Sequence, residues 1–132
     1  MQIKKVLIIG LLCTIIGSIQ MYWFLPEGVS CFNPNEGLFD AVLKFMILQL
    51  IFVISIFLFV KEKFSRYMIP VFLCLFWFFI NKHEFTYRHA CWSTYLQSEI
   101  WLITFRKSLI PIITCLLAFT FPYLSFLKKF DT

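Results

Sequence analysis

Four long apolar stretches, each bounded by charged residues, take up most of this sequence and restrict what it can fold into. They cover residues 6–25, 41–60, 67–80 and 108–127. A helix that crosses a bilayer needs about 20 mainly apolar residues, because the hydrocarbon core is about 30 Å thick and an α-helix rises about 1.5 Å per residue. Three stretches reach that length, and the third reaches it if its helix extends at either end.

Composition places the chain outside the range of soluble proteins. Hydrophobic residues make up 61% of it and charged residues 14%, whereas about a quarter of the residues of a soluble domain are charged. The segments between the stretches are too short to form a separate soluble domain. The sequence therefore predicts an all-α membrane protein, in which residues 1–132 form a single integral membrane domain built as a four-helix transmembrane bundle.

The distribution of charge predicts the orientation of the bundle. The formal net charge is +5, but the basic residues lie at the ends of the apolar stretches, which argues against a nucleic-acid surface. Cytoplasmic segments carry an excess of Lys and Arg. If both termini are cytoplasmic, that side holds seven basic residues and the outer side five. We therefore predict a multi-pass protein of the cell membrane with both termini in the cytoplasm and the longer loops on the outer side.

Residues 94–106 precede the last stretch and have a different pattern. Apolar residues recur there at roughly helical intervals, and the segment ends at the charged pair Arg106 and Lys107. Thr94 and Gln97 have the spacing of a capping box. The pattern predicts an amphipathic helix on the outer surface before the last span. One long helix over residues 94–127 is the alternative.

Two sets of residues predict helix contacts. Gly10, Thr14 and Gly17 form a surface of small side chains on the first span, where another helix can approach closely. Asp40 and Lys44 are four residues apart near the outer end of the second span, so they lie on one helical face and are expected to form an interfacial ion pair. The pair would spare Lys44 from lying unpaired in lipid.

Five cysteines raise the question of redox chemistry. Cys31 and Cys91 fall in the two outer loops, on one side of the membrane, and a disulfide between them is expected if that side is oxidising. Two free thiols are the alternative. Membrane enzymes that generate disulfides with a quinone are also four-helix proteins with outer-loop cysteines, but they use a Cys-x-x-Cys pair. No two cysteines in this chain are closer than seventeen residues.

The densest polar segment lies after the third stretch. His83 and His89 are six residues apart and do not share a helical face, so a zinc site is not expected. Neither a metal nor a cofactor is predicted elsewhere. The residues Tyr87, Arg88, His89 and Trp92 include the types that dominate binding hot spots, and we predict a contact surface for a partner. A belt of interfacial aromatic and basic anchors is the alternative interpretation.

These patterns favour a protein that acts by contact and not by catalysis. The expected partners are the bilayer and another membrane protein or copies of the same chain, with no nucleic acid. The preferred hypothesis is a small accessory protein that docks on a larger membrane complex, or shields a membrane target as toxin-immunity proteins do. The alternatives are an oligomeric channel or transporter for a small solute or ion, and a membrane thiol-disulfide redox protein.

Overall fold

The computed structural model describes the backbone of residues 3–131 and the side chains of residues 3–128. Four long helices follow one another: α1 (Ile3–Phe24), α2 (Leu38–Phe59), α3 (Glu62–Arg88) and α4 (Gln97–Asp131). A short 3₁₀ turn, Ala90–Trp92, lies between α3 and α4. The predicted all-helical architecture is confirmed, and each of the four helices is long and apolar enough to cross a membrane.

The helices form a ring in which α1, α2, α3 and α4 each pack on the next and α4 closes on α1. α1 and α3 also approach each other across the diagonal. Because successive helices alternate in direction, Ile3 and Asp131 lie at the same end of the bundle, together with the turn between α2 and α3. We call this the terminal end, and the opposite end, which carries residues 25–37 and 89–96, the loop end.

The third and fourth helices are longer than the apolar stretches that predict them. α3 extends the 67–80 stretch at both ends and has 27 residues. α4 is one continuous helix of 35 residues that begins at Gln97. The prediction of a separate amphipathic surface helix over residues 94–106 is therefore wrong, and the alternative of one long helix is correct apart from its exact ends. Its N-terminal turn is held by Glu99, whose carboxylate accepts a hydrogen bond from the N–H of Leu96 at 2.9 Å.

A continuous buried stripe explains why α4 does not break. Ile100, Thr104, Ser108 and Ile112 are all buried and follow one another at intervals of four residues. This spacing keeps them on one face of a single helix. The stripe passes without interruption from the segment predicted to lie on the surface into the last span, so residues 97–107 pack on the bundle as part of α4.

The middle of the bundle is filled by large apolar side chains. The side chains of Val53, Ile69, Leu73, Trp77 and Phe119 have no exposed surface. The outward faces of the helices are also apolar, and side chains such as Leu11, Val71 and Leu117 are more than half exposed. Exposed apolar area of this extent is unusual for a soluble monomer and is what a lipid-facing surface requires.

The small residues of α1 lie against α2 and α3. A Cβ atom on Gly10 would lie 2.6 Å from Cδ1 of Leu50, and one on Gly17 would lie 2.9 to 3.1 Å from Met46, Gln49 and Trp77. Thr14 is half-buried, and its hydroxyl donates to the carbonyl of Gly10 at 2.9 Å. The glycines therefore let α1 approach its neighbours to a distance that side chains would prevent.

We expect Gly17→Ala to lower the free energy of unfolding by about 1–3 kcal/mol, the usual cost of overpacking a core. Two of the three atoms that the new methyl group would meet belong to Gln49 and Trp77, which hydrogen-bond each other at 2.7 Å. Gly10→Ala is the matched control, because it meets only the flexible tip of Leu50. Unfolding by denaturing detergent, followed by circular dichroism, measures both. A loss at Gly10 as large as at Gly17 would contradict this account.

Candidate functional site: the fastened loop end

Arg88, the last residue of α3, ties the loop end together. Its Nε donates to Oε2 of Glu84 at 2.5 Å. Its Nη1 donates to the carbonyl oxygens of Gly28 (3.2 Å) and Glu36 (3.0 Å), and its Nη2 donates to the carbonyl oxygen of Gly37 (3.3 Å). The side chains of Arg88 and Glu84 are 3% and 5% exposed. One guanidinium thus joins α3 to both ends of the first loop.

Local sequence places each of these partners. Glu84 and Arg88 are one helical turn apart, which brings their charges together on one face of α3. Gly28 has a φ of 155°, a region that side chains disfavour, and a Cβ there would lie 3.2 Å from the Cβ of Arg88. Glycine at this position therefore allows the loop to bend close to the end of α3.

A disulfide fastens the same end. The structure brings Cys31 and Cys91 together in a bridge, with their Cα atoms 6.5 Å apart. The N–H of Cys31 also donates to the carbonyl oxygen of Tyr87 at 3.0 Å, and the ring of Phe32 meets that of Tyr87 edge to face, with centroids 5.2 Å apart. The first loop is therefore joined to the second loop by a covalent bond, and to the last turn of α3 by a backbone hydrogen bond and a ring contact. We call residues 25–37 and 87–96 the cap.

A polar cavity of about 200 Å³ opens beneath the cap. Lys44 lies on its wall and pairs with Glu36 at 3.4 Å. The predicted pair of Asp40 with Lys44 is thus replaced by a pair of Glu36 with Lys44. Asp40 instead accepts a hydrogen bond from the N–H of Gly37 at 3.1 Å. Its carboxylate lies in the first turn of α2, where the helix dipole stabilises negative charge.

His83 stands on the other wall of the cavity. Its Nδ1 lies 3.2 Å from Oε1 of Glu84, and its ring contacts those of Tyr87 and Phe45, with centroids 4.4 and 5.4 Å apart. Both oxygens of Glu84 are thus engaged, one by Arg88 and one by His83. Glu84 lines the cavity with both of its oxygens already in contact with side chains of α3.

The cavity combines cationic, anionic and aromatic groups around a small volume. Ser30, the hydroxyl on its wall, accepts a hydrogen bond from the N–H of Asn33 at 3.3 Å. In the part of the chain that the structure describes, no three His, Cys, Asp or Glu side chains are grouped closely enough to hold a metal ion. Such a site is suited to binding a polar side chain or a small polar molecule by charge and hydrogen bonds.

The residues predicted to contact a partner separate into two groups. Trp92 is 69% exposed, Tyr87 is partly exposed and His89 is exposed, so these three face outwards on the cap. Arg88 is inside, and the prediction that its side chain belongs to the contact surface is revised. Arg88 holds the backbone of the first loop in place and is not itself part of the exposed surface. Phe32, 78% exposed on the facing loop, is a further surface residue that sequence analysis did not single out.

A second polar group, centred on Gln49 of α2, lies inside the bundle. The amide of Gln49 donates to the carbonyl oxygen of Cys13 at 2.8 Å and accepts from the indole N–H of Trp77 at 2.7 Å. It therefore joins α1, α2 and α3. Nearer the loop end, Asn81 donates to the hydroxyl of Ser108 at 3.1 Å and joins α3 to α4. These bonds serve the packing of the helices.

The three remaining cysteines, Cys13, Cys74 and Cys115, are free thiols in the apolar part of the bundle. Cys74 precedes Arg88 by about 21 Å of helix at a rise of about 1.5 Å per residue. Thiol-disulfide exchange requires a thiolate to attack a disulfide sulfur directly. The free thiols are therefore too far from the Cys31–Cys91 bridge to exchange with it.

In comparisons with known proteins, no family model, no curated protein and no solved structure matches this chain. The geometry of the site itself thus carries the functional argument.

We expect Arg88→Met to lower the free energy of unfolding by about 3–5 kcal/mol, because it leaves Glu84 buried without its counter-charge. The double variant Glu84→Gln with Arg88→Met should lose less than Arg88→Met alone, since it removes the stranded charge. Lys44→Gln breaks an exposed pair and should cost less than about 1 kcal/mol. Unfolding titrations in detergent measure all three. Equal losses for Arg88→Met and Lys44→Gln would show that Arg88 does not hold the cap.

The bridge predicts a specific count of thiols. Protein denatured in the presence of an alkylating reagent should carry three adducts without prior reduction and five after it, because three of the five cysteines are free. Intact mass spectrometry reads both numbers. The double variant Cys31→Ser with Cys91→Ser is the control and should carry three adducts in both conditions. Five adducts on the unreduced wild-type protein would rule out the bridge in the cell.

Proposed function

We propose that this chain is a non-enzymatic, multi-pass membrane protein that docks through its cap on a second membrane protein of different sequence. The observation that carries the proposal is that exposed apolar side chains sit on loops whose backbone is fastened by Arg88 and by the Cys31–Cys91 bridge. Shielding a membrane target, as toxin-immunity proteins do, would use the same contact.

The cap has the physical properties of a binding surface. Phe32, Trp92 and Leu96 are each more than 60% exposed, and large aromatic side chains supply much of the energy of protein interfaces. Association costs less free energy when the surface is already ordered, because fewer loop and side-chain conformations are lost. The four hydrogen bonds of Arg88 and the bridge supply that order before any partner arrives.

The proposed orientation has both termini in the cytoplasm and the cap on the outer side. Two independent arguments support it. Basic residues concentrate at the terminal end, where Lys4, Lys5, Lys61, Lys63 and Arg66 all lie, in keeping with the excess of Lys and Arg on cytoplasmic segments. The bridge lies at the other end, and disulfides persist in oxidising compartments outside the cytoplasm.

The channel and redox hypotheses receive less support. Trp77 and Phe119 fill the centre of the bundle with no exposed surface, so the oligomeric channel or transporter would need a path between copies of the chain. A redox relay would need a second thiol pair within reach of the bridge, and the free thiols lie too deep in the bundle. Neither hypothesis uses the exposed aromatic side chains of the cap, which docking does.

The docking proposal predicts cross-linking from the cap. A photoreactive amino acid placed at Trp92 or at Phe32 should give the same cross-linked protein of defined mass in native membranes, in stoichiometric yield. The same substitution at Phe59, an 87% exposed residue at the terminal end, is the matched control and should not give it. The product from Phe32 should fall at least several-fold when Trp92→Ala is added, while the level of the protein stays constant.

Two outcomes would contradict the docking proposal. One is a product twice the mass of the chain, which would make the cap a contact between copies. The other is the absence of a protein adduct from both cap positions while lipid adducts form normally at Phe59.

A further inference from the structure

Arg88 and the Cys31–Cys91 bridge hold different parts of the cap. The guanidinium of Arg88 donates to three carbonyl oxygens, and all three belong to residues 28–37 of the first loop. Its remaining hydrogen bond stays on α3. The bridge is the covalent link between the first loop and the second loop, residues 89–96. Loss of Arg88 and loss of the bridge should therefore loosen different segments.

The first loop has further contacts that do not depend on the bridge. The N–H of Cys31 donates to the carbonyl oxygen of Tyr87 at 3.0 Å, and the ring of Phe32 meets that of Tyr87 edge to face. Together with the three hydrogen bonds from Arg88, these contacts hold the backbone on both sides of Cys31. The first loop is thus expected to keep its position when the bridge is open.

Residues 91–94 form the tip of the second loop, and all four are exposed. The N–H of Trp92 donates to the carbonyl oxygen of His89 at 3.3 Å, and that of Ser93 donates to Ala90 at 3.1 Å. Both bonds stay within the second loop. Among the described residues, no hydrogen bond, ion pair or ring contact joins this tip to the first loop. Its position relative to the first loop therefore depends on the bridge.

The rest of the second loop is anchored on α3 and α4. Ala90 is 5% exposed and packs in an apolar cluster with Phe85, and the ring of Tyr95 contacts that of Phe85 with centroids 5.9 Å apart. Trp92 lies between these anchors, and its indole makes no ring contact in the part of the chain that the structure describes. Opening the bridge would therefore release the tip with Trp92 and leave both flanks in place.

The bridge is accessible from outside the protein. Cys91 is exposed and Cys31 is half-buried. A thiolate must reach a disulfide sulfur directly to exchange with it, and exposed disulfides are the kind that serve as regulatory bonds. The free thiols of the bundle lie too far away to exchange with the bridge, so its reductant has to be a separate molecule.

From these observations we propose that the Cys31–Cys91 bridge is a redox switch of the docking surface. When the bridge is closed, Trp92 and Phe32 are held in one arrangement. When a dithiol oxidoreductase opens the bridge, the tip becomes mobile and the cap binds its partner more weakly, because ordering the tip again costs conformational entropy on binding. The effect on docking rests on the function proposed above, whereas the release of the tip does not.

The reduction is an ordinary thiol-disulfide exchange. A thiolate of the oxidoreductase attacks Sγ of Cys91, forms a mixed disulfide with it and expels the thiolate of Cys31, which takes up a proton. The second thiol of the oxidoreductase then attacks its own sulfur in the mixed disulfide and releases Cys91, which leaves as a thiol. The bridge gains two electrons and two protons, and the dithiol becomes a disulfide.

Hydrogen exchange of the detergent-purified full chain, read by mass spectrometry with and without dithiothreitol, tests the release of the tip. Reduction should raise the exchange rate of the Trp92 and Ser93 amides about tenfold, and that of residues 28–37 should stay unchanged. The double variant Cys31→Ser with Cys91→Ser is the control and should show no response to dithiothreitol. An unchanged tip, or an equal rise over residues 28–37, would overturn the proposal.

A trapping experiment tests access by a protein reductant. A thioredoxin whose second active-site cysteine is replaced by serine cannot resolve a mixed disulfide, so the intermediate accumulates. With the wild-type protein it should be found on Cys91, the more exposed of the two cysteines, by peptide mapping without reduction. The failure of this thioredoxin to form a mixed disulfide with the bridge would overturn the proposal.

Cross-linking in native membranes tests the effect on docking. With a photoreactive amino acid at Phe32, reduction should lower the yield of the cross-linked partner several-fold, and reoxidation should restore it. An equal yield in both states, or the same fall in the double variant Cys31→Ser with Cys91→Ser, would overturn the switch. The absence of any product in both states would instead count against the proposed docking, and hydrogen exchange would then decide whether the bridge controls the tip.

Discussion

The guanidinium of Arg88 lies at the end of α3 with almost no exposed surface, and the loop end is organised around it. It bonds Glu84 on its own helix and three carbonyl oxygens that belong to the first loop and to the residue that caps α2. A charge in such a position is tolerated only when its counter-charge and hydrogen-bond acceptors are in place. This one side chain therefore holds the first loop, the start of α2 and the end of α3 together, at the end of the bundle where the Cys31–Cys91 bridge also joins the two loops.

The sequence was sufficient for the number of helices and their approximate positions, because length and apolar composition alone decide whether a segment spans a bilayer. It was insufficient for the continuity of α4. The signal was present in Ile100, Thr104, Ser108 and Ile112, but the charged pair Arg106 and Lys107 made the amphipathic segment seem to end before the last span. In the structure Ser108 is buried because Asn81 bonds it from α3. This hydrogen bond depends on how α3 and α4 are rotated about their axes relative to each other. The sequence of either segment alone does not show it.

In the candidate site, the sequence predicted only those contacts that depend on the type of side chain. The structure brings Cys31 and Cys91 to disulfide distance, as the sequence predicts from their place in the two loops at the same end of the bundle. The role of Arg88 was not predictable, because three of its acceptors are backbone carbonyls, which any residue supplies. The prediction that Lys44 pairs with Asp40 was wrong for a related reason. Helical spacing made Asp40 the expected partner, but Asp40 is engaged at the N-terminus of α2, and the loop brings Glu36 within reach instead.

The two ends of the bundle differ in the groups that reach their surfaces. At the loop end the charged pair of Arg88 and Glu84 is buried, while apolar rings such as Phe32 and Trp92 face outwards. At the terminal end the apolar side chains line a groove, with Arg66 and Lys128 at its lining. The first arrangement suits a protein surface, because desolvating exposed rings releases free energy and costs no buried charge.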